Sequence, residues 1–275
     1  MVKPILKYPG GKWRLAPWIA SYFSPHAAYV EPFCGSAAVF FTKKPAKNEV
    51  LNDTFGSIVN LFRVLRDHPE ELIRLVTFTP WAREEYELSE EQFAETGDEI
   101  EDARRFLVRC WQAHGTRFVG RSGWRNIGPS NLAKTTTLWR QLPERLALAV
   151  DRLKDAEIEH RPALEVIGRY NTPDCLIYAD PPYVLDTRNR TYYDQEMSDA
   201  DHLELLEALE RHQGPVVLSG YAHALYDERL QHWHKVTCAT HSEHAGQRTE
   251  VIWLNAKVVQ YRQMRLEQII EHSEE

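Results

Sequence analysis

Asp180-Pro181-Pro182-Tyr183 sets one carboxylate, two rigid imino acids and one aromatic ring in a row. Each proline fixes its own φ and restricts the residue before it, so the row makes a stiff ledge. It follows Cys175-Leu176-Ile177-Tyr178-Ala179, an apolar run that reads as a buried parallel strand. Open α/β sheets bind ligands in the crevice beyond the carboxyl ends of such strands. The ledge offers two oxygen acceptors, the Asp180 carboxylate and a proline carbonyl, beside one flat ring. That set suits a planar ring bearing an exocyclic amine. A tight turn with a solvated acid uses the same four residues, and the stretch alone leaves both readings open.

A second chemistry-bearing set lies near the amino terminus. Pro32-Phe33-Cys34-Gly35-Ser36-Ala37 follows the strand-like Ala28-Tyr29-Val30 and precedes a helical run with Val39, Phe40 and Phe41. Gly35 and the small Ser36 and Ala37 let backbone approach a ligand at a helix N-terminus. Asp53 stands eighteen residues beyond Gly35, near the spacing at which an acid accepts the ribose hydroxyls of a nucleoside. One glycine falls short of the dinucleotide fingerprint, which argues against a pyrophosphate and suits a nucleoside without phosphates. Tyr8 and Lys12 flank Gly10-Gly11. A lysine there could hold a ligand carboxylate, and the aromatic could pack on a sulfonium or a nucleobase. A Walker reading of Gly11-Lys12 fails, because the four-residue gap between glycines and the following Ser or Thr are absent.

These residues need a sheet to position them. Val50-Leu51-Asn52-Asp53 reads as a second short strand, and Ile58, Val59, Leu61, Phe62 and Leu65 recur at helical spacing after it. The α/β alternation then stops. From residue 67 to about 155 the periods are amphipathic and helical: Leu72, Leu75, Val76; Phe106, Leu107, Cys110; Leu142, Leu146, Val150, Leu153. Residues 115–131, rich in Gly, Ser, Asn and Pro, read as a loop or hairpin. The alternation resumes with a helix over 163–170, the strand before Asp180, a polar loop over 184–198, a helix led by Ser198 as N-cap, and Val216-Val217-Leu218-Ser219 as a strand. Residues 230–239 and 250–259 read as closing antiparallel strands. The expected architecture is an α/β domain of residues 1–66 and 156–275, interrupted by a helical insertion over 67–155.

With 275 residues, the chain has room for one sizeable domain or one carrying an insertion. No apolar run nears the ~18 residues of a membrane span, and no signal-peptide pattern opens the chain. Cys34, Cys110, Cys175 and Cys238 are scattered without a CxxC pair, as in a cytosolic protein with reduced thiols. His232, His234, His241 and His244 cluster late but lack matching Cys or acidic spacing, and read as surface or strand-end histidines rather than metal ligands. The net charge of −7 argues against a uniformly basic nucleic-acid binder. Its distribution is uneven, however. Residues 67–102 are dominated by acids, whereas 103–143 contain none and carry Arg104, Arg105, Arg109, Arg117, Arg121, Arg125, Lys134 and Arg140. A solvated face is one reading of that window; a phosphate-attracting patch is the favoured one.

Taken in order, these pieces resemble the D12 class (α-type, Dam-like) of DNA adenine-N6 methyltransferases. The likeness runs over nearly the whole chain: the glycine–lysine opening, EPFCGS, Asp53, a long insertion, then Asp-Pro-Pro-Tyr. It continues through Tyr192-Tyr193, Glu196-Met197-Ser198, Leu218-Ser219-Gly220-Tyr221 and Thr249-Glu250-Val251-Ile252-Trp253-Leu254-Asn255. The resemblance implies a Rossmann-like sheet binding S-adenosylmethionine, with a helical target-recognition domain inserted before the ledge. It implies cofactor contacts at Tyr8, Gly10, Gly11, Lys12, Asp53, Asp180, Ala163 and Leu164, with Pro32, Phe33, Cys34, Gly35, Ser36 and Ala37 as the loop near methionine. Double-stranded DNA becomes the expected partner, a cognate restriction enzyme a further one, and the setting cytoplasmic in a bacterium or phage-infected cell. Three departures stand out: Ala37 where many members have glycine, Pro162 where an acid is common, and an insertion without the hairpin signature of GATC-reading members.

The chemistry expected at the ledge is positioning more than proton abstraction. Asp180 and the Pro181 carbonyl would accept the two N–H groups of an adenine amine, Pro182 would stiffen the ledge, and Tyr183 would stack on a base extruded from the duplex. Arg117, Arg121, Arg125, Lys134, Arg188 and Arg190 are the expected DNA contacts. Trp124 either packs the insertion or fills the gap left by the base. A cytosine-N4 enzyme would carry an SPP-type motif and an RNA or protein-glutamine enzyme an NPPY motif. A silent DNA-binding relic of the fold would not need Lys12, Asp53 and Asp180 intact.

Overall fold

The computed structural model describes residues 2–91, 96–115, 123–126, 132–184, 196–242 and 246–273. Short α1 (Ala16–Ala20) precedes β1 (Ala28–Glu31), α2 (Ala38–Thr42), β2 (Asn48–Asn52) and α3 (Gly56–Asp67). Five helices then run consecutively: α4 (Pro69–Phe78), α5 (Arg83–Glu91), α6 (Glu99–Gln112), α7 (Leu132–Arg140) and α8 (Leu142–Lys154). The sheet resumes with β3 (Ala156–Glu159), α9 (Ala163–Arg169), β4 (Cys175–Ala179), α10 (Asp199–Glu210), β5 (Val216–Tyr221) and α11 (Ala224–Arg229). The closing elements are β6 (His234–Ser242), β7 (Gly246–Leu254) and α12 (Ala256–Ser273).

The described strands form one sheet in the order β3-β2-β1-β4-β5-β7-β6. The first five pair in parallel, while β7 runs antiparallel to both β5 and β6. The order reverses between β1 and β4, so the crevice beyond their carboxyl ends is the switch point at which such sheets take ligands. Glu31 ends β1 and Asp180 follows β4, one on each side of it.

Alternation along each strand divides the core into two faces. Tyr29, Leu51, Leu176 and Tyr178 point into one buried cluster, while Val30, Val50, Cys175, Ile177 and Ala179 point into the other. The first cluster continues into Leu72 of α4, Phe106 and Trp111 of α6 and Leu146 of α8. The consecutive helices therefore share their core with one face of the sheet. Burying a Phe or Leu there contributes about 1.5–3 kcal/mol each, which fixes α6 and α8 against the catalytic layer.

Three expectations need correction. The strand expected over 250–259 ends at Leu254, because Asn255 stops it: its Oδ1 accepts from Val216 and Val258 N–H at 3.1 and 3.3 Å, and its Nδ2 donates to Gly214 O at 2.9 Å. Val258 and Val259 then belong to α12. The strand expected from Leu230 starts at His234, after α11 and a turn that buries Leu230 and Trp233. β3 is an edge strand that the sequence reading lacks. Ser198 caps α10 as expected, in a reciprocal capping box with Asp201. All four cysteines are free thiols, three of them buried.

Candidate active site

The loop leaving β1 is folded tightly. Gly35 and Ala37 take φ of +48° and +50°, the left-handed region. For Ala37 this costs about 1 kcal/mol relative to glycine. Asp53 ties the loop to the next one: its Oδ2 accepts the Gly35 N–H and its Oδ1 the Phe55 N–H, both at 2.9 Å. Burial raises its carboxyl above the usual range, and the N–H groups of Phe55 and Gly35 pull it back. The Gly10-Gly11 turn closes with the Gly11 N–H donating to Tyr8 O at 3.1 Å, and the Tyr8 ring rests on Gly35. A Cβ on Gly11 would meet Tyr8 O at 3.1 Å, so the two loops approach as closely as glycine allows.

Lys12 joins this loop to the ledge. Only 6% exposed, its ammonium donates to both Asp180 oxygens at 2.8 Å and to the Tyr183 hydroxyl at 2.5 Å. Ser219, on β5, donates to Asp180 Oδ1 at 2.8 Å. Tyr183 in turn donates to Glu250 Oε1 at 2.6 Å, and Lys12 stands 3.5 Å from the same carboxylate. Burial holds the Tyr183 hydroxyl well above the usual tyrosine range, so it remains a donor. Glu250 sits on β7 directly opposite Tyr221 of β5, whose ring meets that of Tyr183 edge-on, 4.4 Å between centroids. The antiparallel strand pair thus fixes the ring that ends the ledge.

Glu31 adds a fourth acid to the site. It is 2% exposed, accepts from the Tyr29 hydroxyl at 2.5 Å and lines the crevice. Burial pushes its carboxyl up to about 8, outweighing the hydrogen bond from Tyr29 and the charge of Lys43, so it is largely protonated at neutral pH.

The crevice encloses about 500 Å³. Tyr8, Gly10, Gly11, Lys12, Phe33, Cys34, Gly35, Ser36, Asp53, Ala163, Leu164, Asp180 and Pro182 line it, bringing together most residues singled out in the sequence. Pro32 and Ala37 do not reach its wall: Ala37 is fully buried, and the Pro32 carbonyl accepts from Asn52 at 2.9 Å. Pro181, within the ledge, is buried and is not part of the crevice wall. Ser219, Glu250 and Glu31 carry contacts that no residue-by-residue reading assigned. They stand inside Leu218-Ser219-Gly220-Tyr221, Thr249-Glu250 and the EPFCGS stretch respectively, so the ordered motifs were the available signal.

The other expected contacts are only partly placed. Arg117, Arg121, Arg188 and Arg190 lie outside the described residues, and Lys134 falls on α7 with its side chain outside them. Trp124 is half-buried, donates to Gln112 Oε1 at 3.4 Å and lies under Arg83, the environment of a packing residue. It pairs in an isolated antiparallel bridge with Ala113. Arg125 is half-buried and donates to the Ala113 carbonyl at 3.1 Å.

Residues 8–244 match the profile of the D12 class N6 adenine-specific DNA methyltransferases. The chain belongs to that family. Among named relatives, the type II methyltransferase M.CviBI of Paramecium bursaria Chlorella virus NC1A is 27% identical over 185 residues, 66% of this chain and 69% of that one. M1.LlaDCHI of Lactococcus lactis subsp. cremoris, also a type II methyltransferase, is 40% identical over 78 residues, only 27% of its own length. A solved rRNA methylase from Streptococcus thermophilus aligns over 93% of this chain and 97% of its own at 8% identity and a TM-score of 0.36. Lys12, Asp53, Asp180 and Pro182, all singled out in the sequence, line one crevice of this chain. Among the described residues no helix is long and apolar enough to cross a membrane, and no group of His, Cys, Asp and Glu has the form of a metal site.

Proposed function

We propose that the chain transfers a methyl group from S-adenosylmethionine to the exocyclic N6 of an adenine turned out of double-stranded DNA, at a specific sequence. The observation that carries this reading is Asp180, held in place at the crevice mouth by Lys12 and Ser219 beside a ring whose hydroxyl is anchored to Glu250. The residues fit the cofactor. Asp53 is the acceptor for ribose hydroxyls, Gly11 and Gly35 leave room for close approach, and Lys12 is the cation for a carboxylate. Bound there, S-adenosylmethionine supplies an electrophilic methyl on a sulfonium. Residues 67–155 would serve as the target-recognition domain and residues 1–66 with 156–275 as the catalytic domain, acting on cytoplasmic DNA. The type II relatives make a cognate restriction endonuclease the candidate protein partner.

The adenine amine is a poor nucleophile because its lone pair is delocalised into the ring. Asp180 and the Pro181 carbonyl take its two N–H groups, which draws the nitrogen toward sp³ and aims the lone pair at the crevice. A carboxylate has about four acceptor sites, so Asp180 can hold Lys12, Ser219 and the amine together. Tyr183 supplies the stacking face, kept at one angle by Glu250 and Tyr221. The proton leaves only as the new C–N bond forms, so Asp180 acts as acceptor and electrostatic stabiliser rather than as a strong base beforehand. Incubation with methyl-labelled S-adenosylmethionine and unmethylated duplex DNA tests the proposal. Label is expected on adenine N6, and DNA binding without any transfer would make the chain a silent relic of the fold.

A further inference from the structure

The mechanism leaves unused a group of cations where α6 and α8 meet the amino-terminal segment. Arg145 of α8 is 7% exposed, yet its side chain meets no carboxylate. Its Nη1 donates to the Pro4 carbonyl at 3.2 Å, its Nη2 to Gln141 Oε1 at 3.1 Å, and its buried Nε has no acceptor. Lys7 lies over the Trp111 ring at 4.4 Å, and the Arg145 guanidinium lies 5.5 Å from the same ring. Trp111 is itself fixed by donating to Ile5 O at 2.9 Å. Arg125 is the third cation of the group.

Among the described residues no buried acid neutralises these charges. Among the described residues none of the three cations has a carboxylate within ion-pair distance, and Glu144, the only acid that Arg145 feels, is exposed. Residues 103–143 contain no acid and so can bring none. Burial, then the charges of Arg125 and Arg145, hold the Lys7 ammonium down to about 8. Cations removed from water without a counter-charge destabilise a fold, and a site that keeps them is completed by an anion from outside. Cation–π contact with Trp111 offsets only part of the cost.

We infer that Lys7 and Arg145, which both lie over Trp111, form with the neighbouring Arg125 a seat for phosphodiester groups of the DNA backbone. The inference rests on the proposed DNA substrate and adds where the strand is gripped. Lys7 immediately precedes Tyr8 of the cofactor crevice, and Arg125 and Arg145 belong to the inserted segment. A backbone held here would span both parts and set the distance from a phosphate to the ledge. It would carry affinity without reading sequence.

The test is equilibrium binding of a fluorescent unmethylated duplex, with cofactor absent, across about 0.1–0.4 M KCl. Lys7→Gln is expected to weaken binding about five- to tenfold and to lower the slope of log K against log salt by about 1. Lys7→Gln with Arg125→Gln is expected to lower it by about 2, alike on unrelated sequences. An unchanged slope in the double variant, with wild-type melting, overturns the seat. Methylphosphonate replacement of single phosphates on the wild-type complex keeps the test open if a variant misfolds. One or two positions should cost affinity, and a loss spread evenly over all positions contradicts a localised seat. Inorganic phosphate that raises the melting temperature while the DNA slope stays unaltered by the variants would assign the cluster to a small anion instead. Methyl transfer is measured separately, so failure of the seat and failure of the proposed reaction give different results.

Discussion

In the crevice, Lys12 stands 2.8 Å from both oxygens of Asp180 and 3.5 Å from Glu250, so a buried cation meets buried acids. Lys7, five residues earlier, lies over Trp111 near Arg125 and Arg145, with no acid of the described residues within ion-pair distance. The two sites are neighbours on one segment, yet one is balanced internally and the other is not. A balanced site is organised before its ligand arrives, which suits chemistry that depends on fixed dipoles. An unbalanced one gains most from its ligand, which suits capture of a polyanion. A third group marks what a purely structural arrangement looks like. Lys43 and Arg152 both bind the buried Glu49, and each lies on an aromatic ring, Tyr29 and Phe40. There both cations share one carboxylate within the protein, and none of the three lines the crevice.

The sharpest way to break this contrast is at the ledge. Asp180→Ala should abolish methyl transfer, at least a thousandfold in single-turnover rate, while S-adenosylmethionine affinity by calorimetry stays within about tenfold, roughly 1.4 kcal/mol. Near-wild-type turnover would remove Asp180 from the chemistry. Next comes the balance itself. Lys12→Met strands Asp180 and Glu250 against each other, and the fold should lose about 3–5 kcal/mol by denaturant titration at neutral pH. A loss below about 1 kcal/mol would show that the acids are not balanced by Lys12.

Tyr183→Phe and Glu250→Ala probe how the ring is held. Each should slow transfer about tenfold, and the double variant no more than either alone, because both remove the same hydrogen bond. Multiplied effects would mean that Glu250 acts elsewhere. A last test concerns the pH dependence set by Glu31. Its carboxyl is raised from 4.5 to about 8 in the folded chain, so folding takes up a proton throughout that window. Stability from this group is therefore greatest below about 4.5 and falls as pH climbs toward 8, by a few kcal/mol in all. Glu31→Gln, which keeps an acceptor for Tyr29, should flatten that decline in urea melts taken from pH 5 to 9. A slope equal to wild type would contradict a protonated Glu31.

Much of the crevice was legible because its signals are local. The apolar run before Asp180, the prolines after it, and the glycines beside Tyr8 and in the EPFCGS loop each state their conformation within a few residues. The parallel core strands were legible for the same reason, being continuous apolar runs. β3 was not, because Ala156-Glu157-Ile158-Glu159 on a sheet edge offers only two apolar side chains. The end of β7 was missed because Asn255 acts through Val216 and Gly214, distant in sequence. Ser219, Glu250 and Glu31 acquire their roles from strand register, which places them around Asp180 and the crevice. The acid-free window pointed to the basic face but stopped at residue 143, just short of Arg145, and Lys7 joins it only through the packing of Trp111.

The central claim is that the Asp180 ledge presents an adenine amine for methylation. The most direct measurement is single-base sequencing of unmethylated duplex DNA after incubation with the protein and methyl-labelled S-adenosylmethionine, run beside Asp180→Ala. The account predicts N6-methyladenine at one recurring sequence context with the wild type and none with the variant. Label on cytosine, or on adenine with Asp180→Ala as active as wild type, would contradict it.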